Sequence, residues 1–250
     1  MVSFIGILIL GFFLGMRHAT DPDHVIAVMT IVTRQRGVAK AGVIGALWGM
    51  GHTLTIFLVG AAIILFKVAI PPRLGLSMEF AVGLMLILLG VLNLTGVLRW
   101  LQERFTPGML AVPMVSLEDA AVPVAATGGG LEGHLREMGL YNSLRPLVIG
   151  TVHGLAGSAA VAILVMTTIA DPWWAIAYLL LFGLGTVAGM AAMTTAMAFP
   201  IVYTGRKMVR WNHAMAVGSG VVSVAFGMFI AFQIGVGGGL FTGSPHWTPQ

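Results

Sequence analysis

The chain has 250 residues, of which 58% are apolar and only 9% are charged, whereas soluble domains carry roughly 25% charged residues. This composition excludes a water-soluble fold and predicts an all-α integral membrane protein. The formal net charge is +4, but the basic residues lie in short connections rather than along one face, which indicates membrane topology and not nucleic-acid binding. The chain has no cysteine, which excludes disulfides, thiolate metal sites and iron–sulfur clusters.

Six apolar segments follow one another along the chain, if about 20 residues are needed for each crossing. They cover residues 4–32, 42–66, 78–98, 146–169, 174–200 and 214–238. The first segment is too long for one straight crossing and carries a polar motif in its middle, so it forms either one broken helix or a tight hairpin. It has no basic start and no small-residue cleavage site, and we therefore keep it in the mature protein.

The basic residues predict the orientation of these spans. Ten of them lie in the connections 33–41, 99–145 and 201–213, whereas the opposite side has only Lys67 and Arg73. Because Lys and Arg near span ends are retained in the cytoplasm, we expect these three connections on the cytoplasmic side of the cell inner (plasma) membrane.

The longest connection, 99–145, mixes prolines, glycines and charges without periodicity, which predicts a flexible cytoplasmic linker. It separates a first transmembrane repeat, 1–98, from a second repeat with a short tail, 146–250. Landmarks of the first repeat recur 135 positions later: Gly15, His18, Ala27 and Thr33 correspond to Gly150, His153, Ala162 and Thr168. Three spans per half is an odd number, so we expect two inverted three-helix repeats with interrupted first helices.

The polar motif of the first span runs from Arg17 to His24 and contains two histidines and two aspartates. An ionisable group within a membrane costs about 2.5–3.5 kcal/mol and usually marks a pathway or a bound ion. Pro22 predicts a helix break, followed by a new helix with Asp21 as its cap. The break lets His18, Asp23 and His24 converge, with Asp21 paired to Arg17 at i, i+4. A capping and ion-pair cluster at the interface is the alternative, although it does not account for two histidines.

Two further histidines lie in other spans. Small residues such as Gly51 allow a neighbouring helix to approach closely, which would bring His52 to the break, although an isolated intramembrane histidine also serves as an interhelical hydrogen-bonding group. His153 is the repeat counterpart of His18 and has no acidic neighbour, so it completes the site, lines the exit path or bonds across an interface. Thr186 stands where His52 stands in the first half, which predicts a lopsided site.

At these residues the chain resembles the nickel/cobalt transporter superfamily, and most of all its compact urease-accessory, H-type membrane proteins. His18, Asp23 and His24 match the family's His-x4-Asp-His motif, Gly51-His52-Thr53 matches its Gly-His-Ser/Thr element, and residues 152–158 resemble the third block of the compact branch. The resemblance implies transition-metal permeation with the first-block histidines and aspartate as ligands. The chain differs from the larger permeases in having fewer spans and no acidic block in its second half.

We therefore predict a transporter, not an enzyme, for a divalent transition-metal cation, with Ni²⁺ preferred and Co²⁺ as the alternative. The predicted metal ligands are His18, Asp23, His24, His52 and His153. The ion is the transported substrate and no resident cofactor is expected; nitrogen and oxygen donors suit these ions, and no P-loop occurs. Two other functions stay open: transport of an organic or anionic substrate on the same fold, and a membrane haem protein with histidine axial ligands.

Overall fold

A computed structural model describes residues 4–33, 37–66, 70–97, 143–155, 169, 171–205, 209–242 and 245–247 of the protein. All regular structure in these residues is helical, which confirms the all-α prediction. In chain order the helices are α1 (Phe4–His18), α2 (Pro22–Val32), α3 (Val38–Phe66), α4 (Pro72–Leu94), α5 (143–155), α6 (Pro172–Gly205) and α7 (Val209–Phe232), which continues into a π-helical turn, Gln233–Gly237.

Four of the described helices contain segments long and apolar enough to cross a membrane, namely Val38–Phe66, Pro72–Leu94, Pro172–Tyr203 and Ala214–Gly237. They correspond to the second, third, fifth and sixth predicted spans. The first predicted span is divided into α1 and α2, of 15 and 11 residues, which reach about 22 Å and 17 Å, each short of a ~30 Å hydrocarbon core. The fourth predicted span coincides with α5 as far as residue 155. Residues 156–168 lie outside the described residues, as does the linker up to residue 142.

The break between α1 and α2 lies where Pro22 predicts it. Pro22 is the first residue of α2, and Asp21 before it has an extended backbone with φ −61° and ψ 146°. The amides of Thr20 and Asp21 donate to the carbonyls of Arg17 and His18 at 2.8 and 3.1 Å, so the last turn of α1 tightens to i, i+3 bonds. The helix of the first span is therefore interrupted at this point.

The side chain of Asp21 differs from its prediction. Asp21 holds the cap position of α2 but makes no capping hydrogen bond, and Oδ2 of its carboxylate lies 2.7 Å from Nδ1 of His18. The predicted pair with Arg17 needed a helix that continues for four residues. In the tightened turn, residues three apart are superposed, so the carboxylate meets His18 instead.

Close glycine contacts hold the helices that carry the polar residues. α1 packs along α6, α6 along α3, and α4 along α7, while α2 contacts α4, α6 and α7. At four crossings a Cβ added to a glycine would overlap a carbonyl of the neighbouring helix; the pairs are Gly15 with Phe182, Gly185 with Phe12, Gly51 with Leu147 and Gly150 with Trp48. Since membrane helices associate through such small residues, these contacts draw α1, α3, α5 and α6 tightly around the break.

Buried apolar clusters lie on both sides of the break. One closes the end of the molecule formed by the end of α2, the start of α3 and the end of α6, where Val32, Ala41, Ala198 and Ile201 are buried. The other lies between the end of α3 and the start of α6. Large apolar side chains such as Leu58, Leu88 and Phe199 are exposed on the outer faces of their helices, as expected for surfaces that meet lipid tails.

Candidate metal centre

The break brings the three polar side chains of the first motif together. His18 is the last residue of α1, and Asp23 and His24 lie in the first turn of α2. The ring centroids of His18 and His24 are 4.7 Å apart. A continuous helix would have pointed these two side chains about 120° apart, so the tight turn at residues 19–21 creates their proximity.

His52 joins this group from the middle of α3. Its side chain is completely buried, and its Nε2 lies 3.1 Å from Nε2 of His18. Two neighbouring nitrogens bound to one metal at about 2.0–2.1 Å each are separated by about 2.8–3.4 Å in octahedral or tetrahedral geometry. The two imidazoles are thus spaced both for one shared hydrogen bond and for one shared cation.

Asp23 connects the first half of the chain to His153 of α5. Its Oδ2 lies 2.9 Å from Nε2 of His153, and its Oδ1 lies 2.9 Å from Nδ1 of His24 and accepts a hydrogen bond from the His24 backbone amide at the same distance. A carboxylate that serves two buried imidazoles is held in one orientation, because charge-assisted hydrogen bonds are short and directional.

All five predicted residues therefore lie in one cluster, which forms two overlapping sets of potential ligands. One set is His18, His24 and His52, the other is Asp23, His24 and His153, and within each set the ligand atoms lie within 4.8 Å of one another. His24 belongs to both. Nitrogen and carboxylate oxygen donors in this combination suit nickel, cobalt, zinc or iron(II).

Several donors of this cluster have unused nitrogens. Among the described residues, Nε2 of His24, Nδ1 of His52 and Nδ1 of His153 are buried without a hydrogen-bond partner. An unpaired buried polar group costs about 1–3 kcal/mol, so three of them together mark a place where packing alone does not account for the residues. In each of these three rings the other nitrogen already has a partner: Asp23 for His24 and His153, and His18 for His52.

Thr186 lies on the α6 face that meets α1. It is fully buried, and its hydroxyl donates to the Phe182 carbonyl one turn earlier at 2.9 Å. The hydroxyl is thus engaged within its own helix. In the part of the chain that the structure describes, the second half supplies His153 to the cluster and the first half supplies the other four residues.

A cavity of about 670 Å³ leads from the cluster to the surface. Its inner end is lined by His18, Asp23, His24 and His153, and its outer part by α4, the end of α7 and the tail. Sequence reasoning missed Glu79, Gln233 and Trp247, which line this outer part. The exposed His246 also lines the cavity. The carboxylate within the predicted third span was the available signal for Glu79.

The long apolar helices and the buried imidazole–carboxylate cluster define an integral membrane protein with an internal polar site. The chain is 34% identical to the urease accessory protein UreH of Bacillus sp. (strain TB-90) over 240 residues, which cover 96% of each chain. It belongs to the UreH family of urease accessory proteins, the compact branch that the motifs indicate, and the relative's name describes an accessory protein and not an enzyme.

A second relative is more distant. The chloroplast protein FOR GROWTH AND FERTILITY 1 of Arabidopsis thaliana is 24% identical over 229 residues, which cover 89% of this chain and 58% of the plant protein. No protein-family profile matches the chain, and no solved structure matches it.

Proposed function

We propose that the protein carries a divalent transition-metal cation across the membrane, with Ni²⁺ as the preferred ion and Co²⁺ as the alternative. The observation that carries this proposal is the convergence of five ionisable side chains from three separate segments of the chain. A cluster that served only for ion pairing or helix capping would need fewer ionisable side chains. Ligand exchange at a buried site is the chemistry that such a group serves.

The ion replaces its water shell with donors from both ligand sets. Nε2 of His18 and Nε2 of His52 face each other at 3.1 Å, and His24 adds its unpaired Nε2. Asp23 supplies the negative charge, which offsets the positive end of the α2 dipole near the ion. His153 either binds the ion directly or holds the Asp23 carboxylate, to which it is bonded.

The Bacillus relative favours nickel among the ions that accept these ligands. It is named a urease accessory protein, and this name suggests nickel transport for urease. Ligand chemistry alone does not separate Ni²⁺ from Co²⁺, since both accept imidazole and carboxylate. The name of the relative is thus the basis for preferring nickel.

The cavity supports uptake as the direction of transport. It reaches the surface beside the start of α4 and the end of α7, on the side that the distribution of basic residues predicts to lie opposite the cytoplasm. At the other end, Val32, Ala41 and Ala198 are fully buried and close the path. This is the arrangement of an outward-open state. A dication that moves inward across about 100 mV gains about 4.6 kcal/mol, so uptake needs no ATP.

The inverted repeat is part of the proposal, and the glycine contacts support it. The shift in sequence position that relates Gly15 to Gly150 makes α5 the counterpart of α1 in the second half. The similar shift that relates Gly51 to Gly185 makes α6 the counterpart of α3. When each helix is replaced by its counterpart, the two glycine contacts between α1 and α6 correspond to the two glycine contacts between α5 and α3. Two equivalent halves around a central site are the plan of many secondary transporters.

Accumulation of radioactive Ni²⁺ by cells or proteoliposomes tests the function. We expect His18→Ala to abolish accumulation at an unchanged amount of membrane protein. Asp171→Asn is the matched control, because Asp171 caps α6 through the Trp173 amide at 2.8 Å and does not line the cavity. Equal accumulation by His18→Ala and the parent protein rejects the site, and competition among Ni²⁺, Co²⁺ and Zn²⁺ then ranks the ions.

A further inference from the structure

Glu79 is a carboxylate within a membrane helix that the proposed metal centre does not use. It lies seven residues after Pro72, the first residue of α4, which corresponds to about 10 Å along the helix. Its side chain is partly buried and faces the cavity. A carboxylate at this depth is costly to keep and marks an ion pathway unless a cation neutralises it.

The charges of the cavity favour a visiting cation. Among the described residues, those that line it include three carboxylates, Asp21, Asp23 and Glu79, and neither lysine nor arginine. The lining also includes apolar side chains, among them Val82, Phe226 and Ile230. Low-dielectric walls of this kind concentrate the field of the few charges between them, so Glu79 attracts a cation to the part of the cavity that α4 and α7 line.

The side chain of Trp247 is hydrogen-bonded to the Glu79 carboxylate in this structure. Its indole Nε1 donates to Oε1 of Glu79 at 2.9 Å, and its ring lies so close to α4 that a Cβ at Gly75 would overlap it. The amide of the neighbouring His246 donates to the Gly238 carbonyl at 3.0 Å. The tail is thereby held across the outer part of the cavity by hydrogen bonds and one aromatic contact.

We propose that Glu79 is an outer binding group for the divalent cation and that Trp247 caps its carboxylate until an ion arrives. The indole is a neutral donor, so it satisfies the carboxylate without competing as strongly as a lysine or arginine would. An ion that binds Glu79 displaces the indole N–H and then passes inward to the cluster. This role rests on the proposed transport function and adds a second station to it.

Two substitutions separate the charge of Glu79 from its hydrogen bond. Glu79→Gln keeps an acceptor for Trp247 and removes the charge, so we expect the KM for uptake to rise by about three- to tenfold with little change in Vmax. Trp247→Phe keeps the charge and removes the donor, so we expect the KM to fall by about twofold or more. Trp173→Phe is the control, because Trp173 is an exposed tryptophan that does not line the cavity.

The kinetic results decide between a binding role and a structural one. An unchanged KM in Glu79→Gln overturns the proposal, as does a Trp247→Phe variant whose KM rises like that of Glu79→Gln. Equilibrium dialysis of purified protein with Co²⁺ alone gives a second readout: we expect a weaker bound equivalent that is absent from Glu79→Gln, and its presence there overturns the proposal.

The two proposals fail separately. A parent protein without uptake but with a Glu79-dependent bound equivalent rejects transport and supports the role of Glu79. Uptake that His18→Ala abolishes and Glu79→Gln leaves with the parent KM rejects the role of Glu79 alone.

Discussion

Asp23→Asn tests the centre of the site with the smallest change of shape. Asparagine keeps one oxygen acceptor and replaces the other oxygen with an NH₂ group. In the structure, Oδ1 of Asp23 faces His24 and Oδ2 faces His153, each at 2.9 Å, so one of these contacts must be lost or rearranged. The substitution also removes the negative charge that we assign to neutralising the bound cation.

The expected loss follows from these two contacts. A hydrogen bond to a charged group contributes about 1.5–3 kcal/mol, so loss of one such interaction weakens metal binding by about 10- to 100-fold. Loss of direct coordination by Asp23 adds to this figure. The protein should remain folded, because the substitution is isosteric and the side chain is 28% exposed.

Titration of the purified protein with Co²⁺ measures this loss directly, through the visible absorption bands that cobalt gains from nitrogen ligands. Asp171→Asn, an exposed aspartate at the start of α6, controls for the general effect of removing one negative charge. Binding by Asp23→Asn within about twofold of the parent, well below one hydrogen bond to a charged group, would refute the assignment of Asp23 to the site.

Three further outcomes are expected. Pro22→Ala should let α1 continue into α2, which points the side chains of His18 and His24 about 120° apart. We then expect Co²⁺ binding to be lost while circular dichroism shows an unchanged helix content. Retained Co²⁺ binding contradicts the role of the break. Asn93→Ala removes the hydrogen bond to the Ala216 carbonyl, which is 2.8 Å long. It should lower the free energy of unfolding by roughly 0.6–1.7 kcal/mol and leave the metal affinity unchanged. Weaker metal binding would place Asn93 in the site. Uptake into proteoliposomes without a pH gradient should fall when the medium is acidified, because protons compete with the metal for the imidazole nitrogens; a rate that does not change on acidification argues against histidine ligands.

The helix break and the cluster around it were predictable because their causes are local. Proline removes a backbone donor whatever surrounds it, and residues on either side of such a break are already neighbours in the sequence. His52 was predictable for a different reason, since the adjacent Gly51 signals a close helix contact, and Gly51 does contact α5. Both arguments need only the sequence around the residue in question.

The parts that sequence reasoning missed depend on contacts between distant segments. Glu79 and Trp247 are separated by 168 positions in the sequence, and no local pattern shows that the tail returns to the start of α4. The pairing of Asp21 failed for a geometric reason: the i, i+4 rule assumes a regular helix, and the last turn of α1 has i, i+3 bonds. Helix-based pairing rules thus lose their validity at the breaks where membrane sites are built.

The unequal contribution of the two halves constrains how an ion can be released. Four of the five proposed ligands belong to α1, α2 and α3 of the first half, and His153 comes from the second. If the two halves move relative to each other, His153 is therefore the ligand whose distance to the others changes most. Its Nε2 lies 2.9 Å from the Asp23 carboxylate. We expect the ion to remain with His18, His24 and His52 while His153 releases Asp23, so His153→Gln should slow the transport step more than it weakens metal binding. Equal effects of His153→Gln on binding and on transport would contradict this order of events.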